Sequence, residues 1–206
     1  MSIPSINTAR EILEEAGKLN PGQWLPHSMN AAEAARSIAA NHPELDADTA
    51  YVLALLHDIG RRSGVHQMRH IIDGYNYMQK MGYSSVARIC LTHSFPVQDL
   101  KVAAGKWDCS CEEYEFIENY IKGIDYNNYD RLVQLCDYLA LPNGFSLVET
   151  RMIDVALRYG TNAYSVQKWK QILSTKQYFE AAIGCSVYSL LPGVFESTIS
   201  TKFKLD

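Results

Sequence analysis

His57 and Asp58 close the apolar run Tyr51-Val52-Leu53-Ala54-Leu55-Leu56, and Ile59-Gly60 follows at once. An imidazole and a carboxylate at the end of a hydrophobic helix are costly to bury unless something pairs with them. The same anomaly recurs far downstream. Asp137 sits inside Leu132-Val133-Gln134-Leu135-Cys136-Asp137-Tyr138-Leu139, again an acid in core-like surroundings. A divalent cation shared by the two stretches would remove both anomalies at once.

Other residues could join such a site. His27 follows Pro26 at a helix start, and His93 ends the apolar turn Ile89-Cys90-Leu91-Thr92. Either histidine alone would more often be structural than a ligand. Their joint occurrence with His57, Asp58 and Asp137 favours a site. Neutral imidazole with carboxylate suits Mn, Fe, Co, Ni or Zn, whereas carboxylate alone favours Mg. As helix neighbours, His57 and Asp58 are expected to point about 100° apart, toward different sides of one ion or toward two ions. His66 and His70 are spaced to clamp a metal from one helix face, but Gly64 argues against a helix beginning before His66. His42, ahead of Pro43, is expected to face solvent. Arg61 directly follows the turn and could neutralise a phosphate with its guanidinium fork, with Arg62 second in line. The bland reading of both is a solvated helix end, where cations suit the dipole.

The elements that must position these residues read as helical almost throughout, because apolar residues recur at three and four and strand-like alternation is missing. Helices are expected over 5–18, from Ser28 to Ala40, from a cap at Asp48 to near Asp58 with Gly60 as C-terminal cap, from Arg69 to Met81, and from Ser84 to His93. Ser110-x-x-Glu113 is read as a capping box opening a helix to Lys122. Asp130 is expected to cap the helix carrying Asp137, which Pro142-Asn143-Gly144 ends. Ser146-x-x-Glu149 reads as a second box, starting a helix to Arg158, and a last helix is expected from Tyr164 to Ile183. The fold expected is one all-α domain with a C-terminal helical extension.

Composition narrows the function classes. The chain has 206 residues, 47% of them hydrophobic and 20% charged, which suits one soluble globular domain. A net charge of −4 argues against a nucleic-acid surface, since phosphate affinity needs clustered Lys and Arg. The longest apolar runs fall far short of the roughly 20 residues that span a bilayer, so no membrane partner is expected. Met1 to Gly17 lacks a basic stretch followed by an apolar one, so export is not expected. Five cysteines form no disulfide framework, and Cys109-Ser110-Cys111 without a second ligand pair is weak evidence for zinc. A reducing, cytoplasmic setting fits these features. The aromatics Tyr114, Phe116, Tyr120, Tyr126 and Tyr129 could stack on a base, but packing is their commoner use.

The arrangement of His27, His57-Asp58 and Asp137, with the text Leu55-Leu56-His57-Asp58-Ile59-Gly60, resembles the HD-domain superfamily of metal-dependent phosphohydrolases. The resemblance covers residues 22–141, the expected metal-binding core, with 1–21 and 142–206 as helical extensions packed on it. It implies an all-α HD-like bundle and four protein ligands for one metal: His27, His57, Asp58 and Asp137. Members with two metals add histidines, a role for which His70 and His93 are placed, and Asp58 would then bridge the ions. The extra pair is similar to that of bacterial HD hydrolases that cut dinucleoside polyphosphates. Arg61 departs from the Lys of many relatives. Asn76 after Gly74-Tyr75 departs from the Pro of the branch that cleaves cyclic dinucleotides.

The activity so implied is hydrolysis of a phosphate ester or anhydride in a small phosphorylated molecule, most readily a nucleotide. A bound divalent ion can lower water's pKa to about 7 and polarise a phosphoryl oxygen. Asp58, Arg61 and His70 are the expected catalytic residues, His70 as general acid if it is not a ligand. A homodimer is compatible with the sequence. Two other readings stand beside this one: a metal- or nucleotide-binding sensor module that no longer turns over, and a di-iron oxygenase of the same superfamily.

Overall fold

Alanine runs through α2 (Trp24–Ala39), and Ala31, Ala32, Ala34, Ala35 and Ala39 are all buried. Side chains this small let α3 (Ala47–Leu55) pack closely against α2. The computed structural model describes residues 1–103 and 105–200. Within them α1 (Ile6–Leu19) precedes this pair, and a 3₁₀ turn (Ile59–Ser63) leads to α4 (Arg69–Lys80) and α5 (Ser84–Thr92). Then come α6 (Cys111–Gly123), α7 (Asn128–Leu139), a two-residue antiparallel ladder pairing Ala140 with Phe145, α8 (Val148–Tyr159), α9 (Ser165–Ile183) and α10 (Val194–Ser200). The fold is all-α, as expected. The short ladder and α10 have no counterpart in the sequence reading.

One hydrophobic core gathers residues from α1, α2, α3, α5, α7, α8 and α9, including Leu53, Leu56, Leu135, Met152, Ile172 and Phe179. The helices beyond residue 142 thus share the core of the helices that precede them. A smaller cluster ties α4, α5 and α6 through Ile71, Leu91, Phe95, Ile117 and Ile121. The aromatics of α6 and its flanks serve packing: Trp107 lies parallel to Phe95 and edge-on to Tyr114, and the Tyr126 hydroxyl donates to the Phe95 carbonyl.

Several local expectations are corrected. Asp46, not Asp48, caps α3, its carboxylate accepting from the Thr49 N–H at 2.7 Å. Asn127 caps α7, and Asp130 completes that box by accepting from the Asn127 N–H at 2.9 Å. Where two acids or amides lie within one turn, either can cap, and tertiary contacts choose. The Ser146 hydroxyl donates to the Leu147 carbonyl, so no second box forms, and Glu149 instead accepts from the Tyr188 hydroxyl. The Ser110–Glu113 box forms with both of its hydrogen bonds. His42 is buried, edge-on to Phe179, because α9 crosses over the loop that carries it.

Candidate metal centre

α3 stops at Leu55, one turn short of the expected end. His57 and Asp58 therefore lie in the turn that follows, and the expected 100° helical splay does not apply. Gly60 does not cap the helix. It lies in the 3₁₀ turn against α4, where a Cβ would overlap the His70 carbonyl oxygen and would come within 2.5 Å of the Gly74 nitrogen. Gly74 in turn has its missing Cβ 3.1 Å from the Gly60 nitrogen. Two glycines back to back let the turn touch α4, which brings Asp58 to His70.

His93 arrives from the end of α5, and Asp137 from the last turn of α7. These two helices are fixed to one another by a buried ion pair. Asp130, fully buried, accepts from the Arg88 Nε at 3.0 Å and from the Thr92 hydroxyl at 2.8 Å. His27 comes from the first turn of α2, after Pro26, a residue tolerated early in a helix because the first N–H groups have no partner.

Each of the four histidines turns its Nδ1 to a backbone carbonyl. His27 faces Ala140 at 3.2 Å, His57 faces Ala54 at 2.6 Å, His93 faces Ile89 at 3.1 Å, and His70 faces Gln67. A carbonyl can only accept, so Nδ1 carries the proton. In the neutral ring Nε2 then offers a bare lone pair, the form that binds metals. The four Nε2 atoms converge with the two carboxylates. His27 Nε2 lies 3.0 Å from Asp137 Oδ1, and His57 Nε2 lies 3.9 Å from that oxygen and from Asp58 Oδ2. Asp58 Oδ1 lies 3.2 Å from His70 Nε2 and 3.7 Å from His93 Nε2. Ligand atoms held about 2.1 Å from a common ion stand roughly 3.0–3.4 Å apart, so several of these spacings suit a shared cation.

The donors form two overlapping sets, His27–His57–Asp58 and Asp58–His70–His93, joined at Asp58. Asp137 belongs to neither set, but its Oδ1 lies beside the first, next to the Nε2 atoms of His27 and His57. The chemistry of the set fits a divalent metal. His57 Nε2 is buried with no hydrogen-bond partner, a cost that a metal–nitrogen bond would remove. The short gap between His27 Nε2 and Asp137 Oδ1 needs a proton or a metal in it, since His27 Nδ1 is already committed as a donor.

Electrostatics favour neutral imidazoles and ionised carboxylates in this cluster. Burial pushes His57 down to about 4, opposed by Asp58, and burial together with the Arg61 charge pushes His70 down to about 3. Burial alone would raise Asp58, but the Arg61 guanidinium and nearby imidazoles outweigh it and hold the carboxyl well below its usual range. Asp137 is likewise low, because its bond with His27 overcomes burial. Arg61 Nε donates to Asp58 Oδ2 at 2.6 Å, and its Nη1 reaches the His66 carbonyl at 3.4 Å. Arg62 turns away from the cavity and stacks over Tyr77 at 4.0 Å with its Nε buried, so it is neither a phosphate partner there nor the solvated helix end expected as the alternative.

The cluster opens into a cavity of about 450 Å³, lined also by Trp24, Arg61, Ser94, Arg151, Tyr159 and Lys168. His66 lines it but belongs to neither donor set. The Ser94 hydroxyl sits 3.0 Å from His93 Nε2. Arg151, Arg158 and Lys168 come from α8 and α9 and were missed in the sequence reading. The available signal was register: Lys168 begins the stripe Lys168–Ile172–Thr175–Phe179, whose other members are buried. Burial lowers the Lys168 ammonium to about 8, against the pull of Asp137, so it is still mostly charged at neutral pH.

The sequence model of the HD domain family matches residues 24–141, more than half of the chain, and the chain belongs to this family. No curated protein and no solved structure matches it. Among the described residues no helix is long and apolar enough to cross a membrane.

Proposed function

We propose that this protein is a metal-dependent phosphohydrolase that cleaves a phosphate ester or anhydride in a small phosphorylated molecule, most readily a nucleotide. The observation carrying this reading is the convergence of four imidazole Nε2 atoms and two carboxylates, all but the buried His57 lining one cavity. His27, His57, Asp58 and Asp137 would hold one divalent ion, and Asp58, His70 and His93 a second. A divalent ion held by these residues would supply Lewis acidity toward water and a phosphoryl oxygen.

The chain's own residues supply the rest. The carbonyls of Ala54, Gln67, Ile89 and Ala140 fix the ring orientations, so the ligands are preorganised. Arg61 keeps Asp58 ionised and turned inward while its Nη groups remain beside the cavity. His70 fits a ligand better than a general acid, because its neutral ring has no Nε2 proton to give. Ser94, beside His93, is the nearest neutral hydroxyl available to orient a substrate oxygen. Five free cysteines suit a reducing cytoplasmic setting.

The test is a nucleotide and phosphate-ester panel with protein reloaded with Mn, Co or Fe, read as released phosphate or nucleotide product. Turnover of at least one compound, abolished in Asp58→Ala, is expected. A folded, metal-loaded protein inert across the panel would refute hydrolysis and favour the sensor reading. Oxygen uptake by the iron form with an organic substrate would favour the oxygenase reading.

A further inference from the structure

The wall of the cavity facing the ligand cluster is built by α8 and α9, outside the segment that matches the HD family. Arg151 and Arg158 share one carboxylate oxygen, Asp154 Oδ2, at 2.8 and 2.7 Å. Lys168 makes no ion pair or side-chain hydrogen bond among the described residues, although it is partly buried and sits near enough to Asp137 to feel its charge. Three cations against one carboxylate leave this wall with an excess of two positive charges.

The floor is charged differently. Among the described residues the floor holds the carboxylates of Asp58 and Asp137 and the guanidinium of Arg61, one net negative charge that a single divalent ion would more than offset. The cationic wall is therefore not needed to balance the floor. A lysine at an inward register, flanked along its helix by Ile172, Thr175 and Phe179, is costly unless an anion meets it. The cavity, at about 450 Å³, lies in the usual range for small-molecule sites.

We infer that α8 and α9 supply a second anion subsite, in which Lys168, Arg151 and Arg158 hold one phosphoryl group of the substrate while another lies at the imidazole–carboxylate floor. The substrate is then a small molecule carrying at least two phosphoryl groups. This deepens the hydrolase reading and rests on it for the word substrate, but the binding itself needs no turnover.

The experiment compares methylenediphosphonate with methylphosphonate, neither of which has a P–O–P bond to cut. Each is titrated into full-length Mn-loaded protein by calorimetry, with Mn matched in cell and syringe. The diphosphonate is expected to bind at least ~10-fold more tightly, and Lys168→Met to erase most of that difference while the metal content stays that of the wild type. Lys168→Arg should restore most of it. Equal affinity for the two anions would overturn the subsite, as would a Lys168→Met protein with wild-type diphosphonate affinity, or one that loses metal along with the anion. Should Lys168→Met fold poorly, Arg151→Gln on the other helix carries the same comparison. Diphosphonate binding that depends on Lys168 in a protein inert toward every nucleotide would refute the hydrolase reading and leave the subsite standing. Nucleotide hydrolysis whose KM ignores Lys168→Met would do the reverse.

Discussion

His70 and His93 approach each other Nε2 to Nε2 at 3.4 Å, and each has its Nδ1 turned to a carbonyl, that of Gln67 and that of Ile89. Two lone pairs therefore face one another with Asp58 Oδ1 beside them at 3.2 and 3.7 Å. Three electron-rich atoms at such separations repel unless a cation joins them. The contact draws α4, α5 and the turn after α3 to one point, so removing the cation should be felt well beyond the ligands.

The metal-free protein should lose stability as the pH falls below neutrality. The folded-state values of His57 and His70, about 4 and about 3, lie below the unfolded value of 6.5. The unfolded chain thus binds more protons between those limits, and folding is favoured less as pH drops from 6.5 toward 4. Each histidine contributes a slope of up to about 1.4 kcal/mol per pH unit. Denaturant midpoints of chelated protein at pH 7.5, 6.0 and 5.0 should fall steadily, and a flat series would show that these rings are not buried neutral.

Gly60→Ala should be among the most damaging small substitutions in the chain. The new methyl group would collide with the backbone of α4 at His70 and Gly74, and relief requires moving the turn that carries His57 and Asp58. Overpacking of this kind costs about 1–3 kcal/mol or more. Metal affinity should fall with stability. Gly82→Ala is a poor comparison because Gly82 has positive φ, whereas Gly123→Ala meets open space and should be nearly neutral.

Arg88→Met should destabilise the fold without touching a ligand. It leaves Asp130 fully buried beside the Thr92 hydroxyl and the Asn127 N–H, but without its cation. Breaking one side of a buried pair costs about 3–5 kcal/mol. Chemical denaturation measures this directly. Replacing Asp130 and Arg88 together by apolar residues should recover part of the loss.

Arg61→Met should separate two roles of one side chain. Without the guanidinium, Asp58 loses its 2.6 Å partner, its carboxyl should titrate higher, and the pH at which metal is released should rise. Outer partners of metal ligands typically contribute 10–100-fold in affinity. Competitive chelation from pH 5 to 8 reads the shift, and an unchanged release profile would mean that Arg61 does not support Asp58.

Much of this site was legible from residue types, because buried carboxylates and imidazoles are rare enough in apolar runs to stand out. His27, Asp58, His70, His93 and Asp137 line one cavity, and His57 lies buried beside Asp58 and Asp137. The local geometry was less legible. The apolar run shows no break before His57 and Asp58 and so predicts a helix through both, yet the helix ends at Leu55 and a tight turn presents both side chains. Gly60 looked like a cap because its neighbours favour one, whereas its use is contact with Gly74, a residue from another helix. The cationic wall was illegible for a similar reason. Arg151 and Lys168 lie on amphipathic helices as ordinary surface charges would, and only tertiary packing turns them toward the cavity. His42 shows the converse, a loop residue covered by α9.

Counting bound metal tests most directly whether these side chains hold a divalent ion. Wild-type protein and Asp58→Ala would be equilibrated with Mn, freed of loose ions by gel filtration, and analysed by mass spectrometry, with circular dichroism as the check on folding. One or two ions retained per wild-type chain are expected, with loss of retention in the folded Asp58→Ala protein. Equal retention by the two proteins, or none by either, would contradict metal binding at these side chains.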